Sequence, residues 1–117
     1  MLFICHPTCT TCDKARKFLS DNKLSYTERD IRAENPSVSE LNEWVKASGL
    51  PLKRFFNTSG NKYRELGLTK KLPNMSEEDQ LQVLASDGML VKRPLLITDK
   101  FVLVGFNEKT WAAALKG

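Results

Sequence analysis

The stretch Leu2-Phe3-Ile4-Cys5-His6-Pro7-Thr8-Cys9-Thr10-Thr11-Cys12-Asp13-Lys14-Ala15-Arg16-Lys17-Phe18-Leu19 decides the fold. Its first four residues form an apolar run of strand length. Residues 10–22 read as a helix, with Ala15, Phe18 and Leu19 sharing one face. The pair Cys9-Thr10-Thr11-Cys12 falls where the strand hands over to the helix. Backbone N–H groups at a helix start lack intrahelical partners and carry partial positive charge. They favour a thiolate over a thiol, so the first cysteine of such a pair can ionise below the free value of about 8.5.

Working outward, Asn22-Lys23 ends the helix, and residues 24–29 alternate apolar and polar as a half-buried strand does. Strand, helix and strand in so short a span predict a βαβ unit with parallel strands and a right-handed crossover. Glu34-Asn35-Pro36 breaks the chain. Ser37 with Glu40 three residues on is a capping-box pattern, opening a helix that carries Leu41, Trp44, Val45 and Ala47 and stops near Ser48-Gly49. Leu52, Phe55 and Phe56 suit one short helical turn, Asn57-Thr58-Ser59-Gly60 a loop, and Tyr63 to Leu66 a second short helix ending at Gly67. Ser76 caps a further helix, with Glu77, Glu78 and Asp79 in its first turn and Leu81, Val83 and Leu84 on its apolar side.

Residues 95–98 and 101–104 are two apolar runs around Asp99-Lys100, a hairpin spacing. Asn107 caps a last helix through Trp111, Ala114 and Leu115. The order β-α-β, helices, β-β-α predicts an α/β fold. Its core is a mixed four-stranded sheet with helices on its faces, the thioredoxin-like arrangement. Residues 1–117 then make a single domain, with 37–88 as a helical insertion subdomain between the two halves.

The chain has 117 residues, 41% of them hydrophobic, which suffices for one core without disulfide staples. No stretch reaches the roughly 18 apolar residues of a membrane span, and the N-terminus lacks a signal-peptide pattern. Three cysteines in such a chain fit the cytoplasm, where a Cys-x-x-Cys signals redox or metal chemistry more often than a structural bridge. A net charge of +4 permits an acidic partner without selecting one. Lysines and arginines are interspersed with acids as on a solvated surface, and no nucleic-acid recognition signature is present. Direct nucleic-acid binding and membrane association are therefore not expected.

Cys9 and Cys12 lie on one face of a helix start, within the reach a disulfide requires. Cys9, nearer the helix N-terminus, is the expected attacking thiolate, and Cys12 the resolving thiol. Two unconnected helix cysteines are one alternative. A zinc site is another, but it needs about four ligands, and only Cys5 and His6 lie nearby. Cys5 reads as a small buried strand residue. His6 either tunes the thiols or is an ordinary polar loop residue. Arg93-Pro94 begins the third strand, where a thioredoxin-like fold has a cis proline facing the cysteine loop. Arg93 would then aim its guanidinium at Cys9 and stabilise a thiolate or bind an oxyanion. Lys92, Lys53 and Arg54 are candidates for the same positive rim, and 57–60 for backbone donors beside it.

Four segments together resemble one family: Pro7-Thr8-Cys9-Thr10-Thr11-Cys12-Asp13-Lys14-Ala15-Arg16, Arg64-Glu65-Leu66-Gly67-Leu68, Lys92-Arg93-Pro94-Leu95-Leu96-Ile97 and Val104-Gly105-Phe106-Asn107-Glu108. They are similar to the glutaredoxin-like arsenate reductase (ArsC) family, and within it to the Spx/MgsR branch. The resemblance spans essentially the whole chain. It implies a thioredoxin-like fold with a helical insertion and a cis Pro94. In the family's enzymes a cysteine at the position of Cys9 attacks arsenate, arginines hold the oxyanion, and glutathione with glutaredoxin reduces the product. Arg93 matches one of those arginines. This chain departs in having Cys12 where those enzymes have serine, and Gly105-Phe106 where they have another arginine. A third family arginine falls near Phe56-Asn57, and Arg54 is the nearest here.

In Spx proteins the cysteine pair is a redox switch, and the partner is the C-terminal domain of the RNA polymerase α subunit. The resemblance and the residues together give a site of Cys9, Cys12 and Arg93 for catalysis, with Arg93, Pro94, Thr10 and Thr11 contacting substrate. No cofactor and no metal are expected. The reductant would be glutaredoxin, thioredoxin or a low-molecular-weight thiol. The function implied is thiol–disulfide redox chemistry. Regulation through the polymerase α subunit and arsenate reduction are the other readings.

Overall fold

The apolar run at the N-terminus forms β1 (Leu2–Cys5), followed by α1 (Thr10–Asp21) and β2 (Thr27–Asp30). The computed structural model describes residues 1–116. β1 and β2 are parallel, with Leu2 opposite Thr27 and Cys5 opposite Asp30. β3 (Leu95–Ile97) runs antiparallel to β1, pairing Ile4 with Leu95, and β4 (Val102–Val104) runs antiparallel to β3. The four-stranded sheet has the order β2-β1-β3-β4, the mixed thioredoxin-like arrangement the sequence predicts.

Between β2 and β3 the chain is helical. It contains α2 (Val38–Ser48), a 3-10 turn (Leu52–Phe55), α3 (Asn61–Glu65) and α4 (Leu68–Lys71). A second 3-10 turn (Leu72–Asn74), α5 (Glu77–Ser86) and a third turn (Gly88–Leu90) follow, and α6 (Glu108–Lys116) ends the described chain. The caps read from sequence form. The Ser37 hydroxyl accepts from the Glu40 amide at 3.1 Å, and the Glu40 carboxylate accepts from the Ser37 amide at 3.1 Å. Gly49 then ends α2 at φ +70°, a conformation open to glycine without cost. Ser76 accepts from the Asp79 amide, and Asn107 from the Thr110 amide.

The structure differs from the sequence expectation in several places. The second strand starts at Thr27 rather than at residue 24. Lys23 adopts φ +56° and the Leu24 amide donates to Leu19, so residues 22–24 wrap the end of α1 before the chain extends. β3 and β4 each stop one residue short of the turn, at Ile97 and Val102. The Thr98 amide still donates to the Phe101 carbonyl at 2.9 Å across Asp99-Lys100, but the Thr98 hydroxyl, not its carbonyl, accepts from the amides of Lys100 and Phe101. α4 and the turn after it occupy residues that carried no predicted element, and Ala47, expected on the apolar face of α2, is exposed.

Side chains alternate across a strand, so the sheet has two apolar faces. Ile4 and Leu95 point to one, where Leu41 and Trp44 of α2, Leu81 and Leu84 of α5, and the Phe55-Phe56 pair pack. Phe3, Cys5 and Leu96 point to the other, against Cys12, Ala15 and Leu19 of α1 and Trp111 of α6. Gly88 is required by a close approach: a Cβ there would overlap the Ile31 carbonyl just beyond β2.

Candidate functional site

Cys9 is the N-cap residue of α1, in extended backbone geometry with φ −90° and ψ 125°, and its carbonyl accepts from the Asp13 amide at 3.0 Å. Its side chain makes no cap hydrogen bond, which leaves the sulfur facing the free amides of the first turn. Cys9 is half-buried, whereas Cys12, one turn further, is fully buried in the apolar cluster. All three cysteines are free thiols.

The two neighbouring sulfurs differ sharply in acidity. Burial pushes the Cys9 thiol up, but the Cys12 amide and thiol, the Thr11 amide and the Arg93 guanidinium together pull it below the ordinary thiol value. Burial pushes Cys12 up to about 12. The His6 amide, donating to its sulfur at 3.4 Å, opposes that rise, while the charge of Cys9 adds to it. Cys5 is also buried, and its thiol is raised to about 11 by burial despite the cation of Arg16 beside it. His6 sits at the loop before Cys9. Its Nδ1 accepts from the Thr8 amide at 3.1 Å, and burial followed by the charges of Arg93 and Arg32 lowers its pKa. Accepting that amide at Nδ1 places the proton of the neutral imidazole on Nε2.

Arg93-Pro94 is a cis peptide bond immediately before β3. Arg93 is half-buried, with one guanidinium nitrogen 3.5 Å from the Met89 carbonyl. Cys9, Thr11 and Arg93 open onto a cleft of about 810 Å³. One wall comes from the helical segment, through Arg54, Asn57, Gly60, Lys62 and Asp87. The opposite wall is Val104 to Asn107. Lys92 and Arg93 join the two. Four cations thus face two acids, Glu65 and Asp87, with Lys62 and Asp87 paired at 3.9 Å.

The structure brings Cys9, Cys12, Thr11 and Arg93 together. Pro94 is buried behind Arg93, and Thr10 is exposed on α1 outside the cleft lining. Of the expected positive rim, Lys92 and Arg54 line the cleft, but Lys53 lines a separate small pocket with Tyr63 and Gln80, because the 3-10 turn points adjacent residues to opposite sides. Lys62 and Asp87 were not legible as site residues, since no motif marks them. Arg16 was also missed, although its guanidinium donates to the Cys5 sulfur at 3.0 Å. Among the described residues no three His, Cys, Asp or Glu side chains converge as a metal site would require. No helix is long and apolar enough to cross a membrane among the described residues.

Known proteins are similar to this chain. YusI of Bacillus subtilis is 49% identical over 116 residues, which cover 96% of this chain and 98% of that protein. The global transcriptional regulator Spx of Staphylococcus epidermidis is 28% identical over 102 residues, covering 87% of this chain and 76% of that protein. An ArsC family related protein of Bacteroides fragilis has a solved structure that superposes with a TM-score of 0.93 at 54% identity, covering 96% of this chain and 94% of that one. The family model for ArsC matches residues 5–114, from the end of β1 through the thiol pair and the cis proline into α6, and on that match the chain belongs to the ArsC family.

Proposed function

We propose that this protein is a cytoplasmic thiol–disulfide redox protein in which Cys9 attacks and Cys12 resolves. The observation that carries the reading is the divided acidity of the pair: a half-exposed Cys9 held below the ordinary thiol value beside a buried Cys12 held far above it. The Cys9 thiolate attacks one sulfur of a substrate disulfide, forms a mixed disulfide and expels the other sulfur as a thiolate. Consuming the Cys9 charge removes one of the effects that keep Cys12 protonated. Cys12 then gives its proton to the departing thiolate and attacks Cys9 Sγ. The Cys9–Cys12 disulfide closes and the second substrate thiol leaves. Two electrons have moved from the protein to the substrate, and an external thiol, either glutaredoxin, thioredoxin or a low-molecular-weight thiol, returns them.

The cations of the cleft favour substrates with an anionic group beside the sulfur. Arg93 lies between Cys9 and that space. Thr11 flanks the attacking sulfur, while Pro94 and Thr10 lie outside the cleft lining. Arsenate is a weaker fit, because Phe106 stands on the wall where a further cation would grip a small oxyanion. Replacing Cys9 by Ser abolishes disulfide reduction. Replacing Cys12 by Ser leaves a mixed disulfide that mass spectrometry detects. If neither substitution changes turnover, the reading fails.

The similarity to Spx favours a second reading, in which the same disulfide controls a protein contact instead of turning over. The separating measurement is capture by the isolated C-terminal domain of RNA polymerase α, under reducing and under oxidising conditions. Redox-dependent capture without turnover would select the regulatory role.

A further inference from the structure

Arg16 lies on α1, one turn beyond Cys12 and outside the cleft, and no step above uses it. Its guanidinium nevertheless engages three elements. Nε donates to Glu28 on β2 at 3.0 Å, and Nη1 to Asp13 on its own helix at 2.6 Å. Nη2 donates to the Cys5 sulfur at 3.0 Å and to the His6 carbonyl at 3.1 Å. The His6 backbone is the junction of the thiol pair. Its N–H donates to Cys12 Sγ at 3.4 Å, and its carbonyl also accepts from the Cys9 amide at 3.4 Å. One carbonyl is thus shared by Arg16 and by the backbone of the attacking cysteine.

We propose that Arg16 is a positioning residue for the thiol pair, holding the His6 carbonyl so that residues 6–9 present the Cys9 sulfur to the amides of the first turn of α1. The proposal rests on Cys9 being the nucleophile. The chemistry requires an arginine. A planar fork reaches a carboxylate on one edge and a carbonyl on another, whereas a lysine ammonium is a point charge on a flexible stem. The two carboxylates orient the fork. As exposed ion pairs they add little stability of their own, so a purely bracing role would be easily replaced. If the His6 carbonyl swings, the Cys9 amide loses its acceptor and the first turn no longer meets the Cys9 sulfur squarely.

The test is the rate of Cys9 alkylation by iodoacetamide against pH, read by mass spectrometry on the full chain. Wild type is compared with Arg16→Met, Arg16→Lys and, as a surface control, Lys17→Met. Arg16→Met raises the Cys9 midpoint by about one pH unit, which is about tenfold slower labelling at a pH below both midpoints. Arg16→Lys gives a smaller rise, and Lys17→Met none. A folded Arg16→Met protein with an unmoved midpoint overturns the proposal, even if its melting temperature falls, because a brace alone would do that. Should Arg16→Met not fold, Arg16→Lys decides, and a midpoint equal to wild type overturns it. Alkylation needs no disulfide substrate. A wild-type protein without exchange activity therefore sinks the redox reading alone, and an active wild type with unmoved Arg16 variants sinks only this one.

Discussion

Two thiols one helical turn apart end with opposite acidities because one edge of α1 meets a cleft and the other meets the core. Cys9 collects donors from the first turn and from Arg93, and Cys12 collects apolar neighbours. The sign of the pH dependence follows. A thiol whose pKa is lowered stays ionised below the ordinary value, and its reactivity is lost as pH falls through the lowered one. Arg93→Met removes one stabilising charge, so the reactive window narrows from its low-pH side. Cys9 labelling at pH 7 should slow by roughly threefold, with little change above pH 10 where either protein is ionised. Stopped labelling at the two pH values checks this. The cysteine pair and Arg93 were legible in sequence because spacing and a proline marked them. Arg16 was not, since an arginine within a basic helix reads as solvated until the fold sets the His6 carbonyl against it.

At the scale of elements, local signals located the helices and tertiary pairing located the strands. Ser37 and Glu40 satisfy each other's backbone amides, a purely local exchange that sequence displays in full. Arg29 adds a long-range clasp, donating to both oxygens of Glu40 at 2.7 and 2.9 Å and holding its carboxyl down to about 2. Ser37→Ala should lower stability by about 1 kcal/mol, measured by urea unfolding at pH 7. The Arg29–Glu40 contribution is present above the usual carboxylate range and is lost as pH falls toward the depressed value. The difference in stability between wild type and Glu40→Gln should therefore shrink in acid. The start of β2 was harder to read. Leu24 and Tyr26 alternate as a strand does, yet they pack beside the end of α1, and pairing begins only where β1 offers Leu2. Gly88 gave no sign of its role, because the Ile31 carbonyl it accommodates comes from a distant part of the chain.

At the scale of the whole molecule, the sheet is one layer shared by two apolar clusters. Trp44 reports on the cluster that holds the helical segment, and Trp111 on the cluster that holds the thiols. Ile4 and Phe3, or Leu95 and Leu96, are adjacent residues on opposite sides of the same strand, so neither cluster can open without tearing the other's floor. Urea unfolding followed by fluorescence of Trp44→Phe and Trp111→Phe proteins should give coincident transitions once each is corrected for its own stability, as a single cooperative unit does. Separate midpoints with distinct slopes would mean that residues 37–88 fold as a unit apart. The cleft straddles this partition, with one rim rooted in each cluster and the Arg93 junction between them. On the redox reading proposed above, the groups that set sulfur acidity sit on the α1 bank and at Arg93, while Arg54, Lys62 and Asp87 charge the other bank. Exchange of Arg54, Lys62 or Asp87 would then change which molecules the cleft admits and leave the thiol pair as it is.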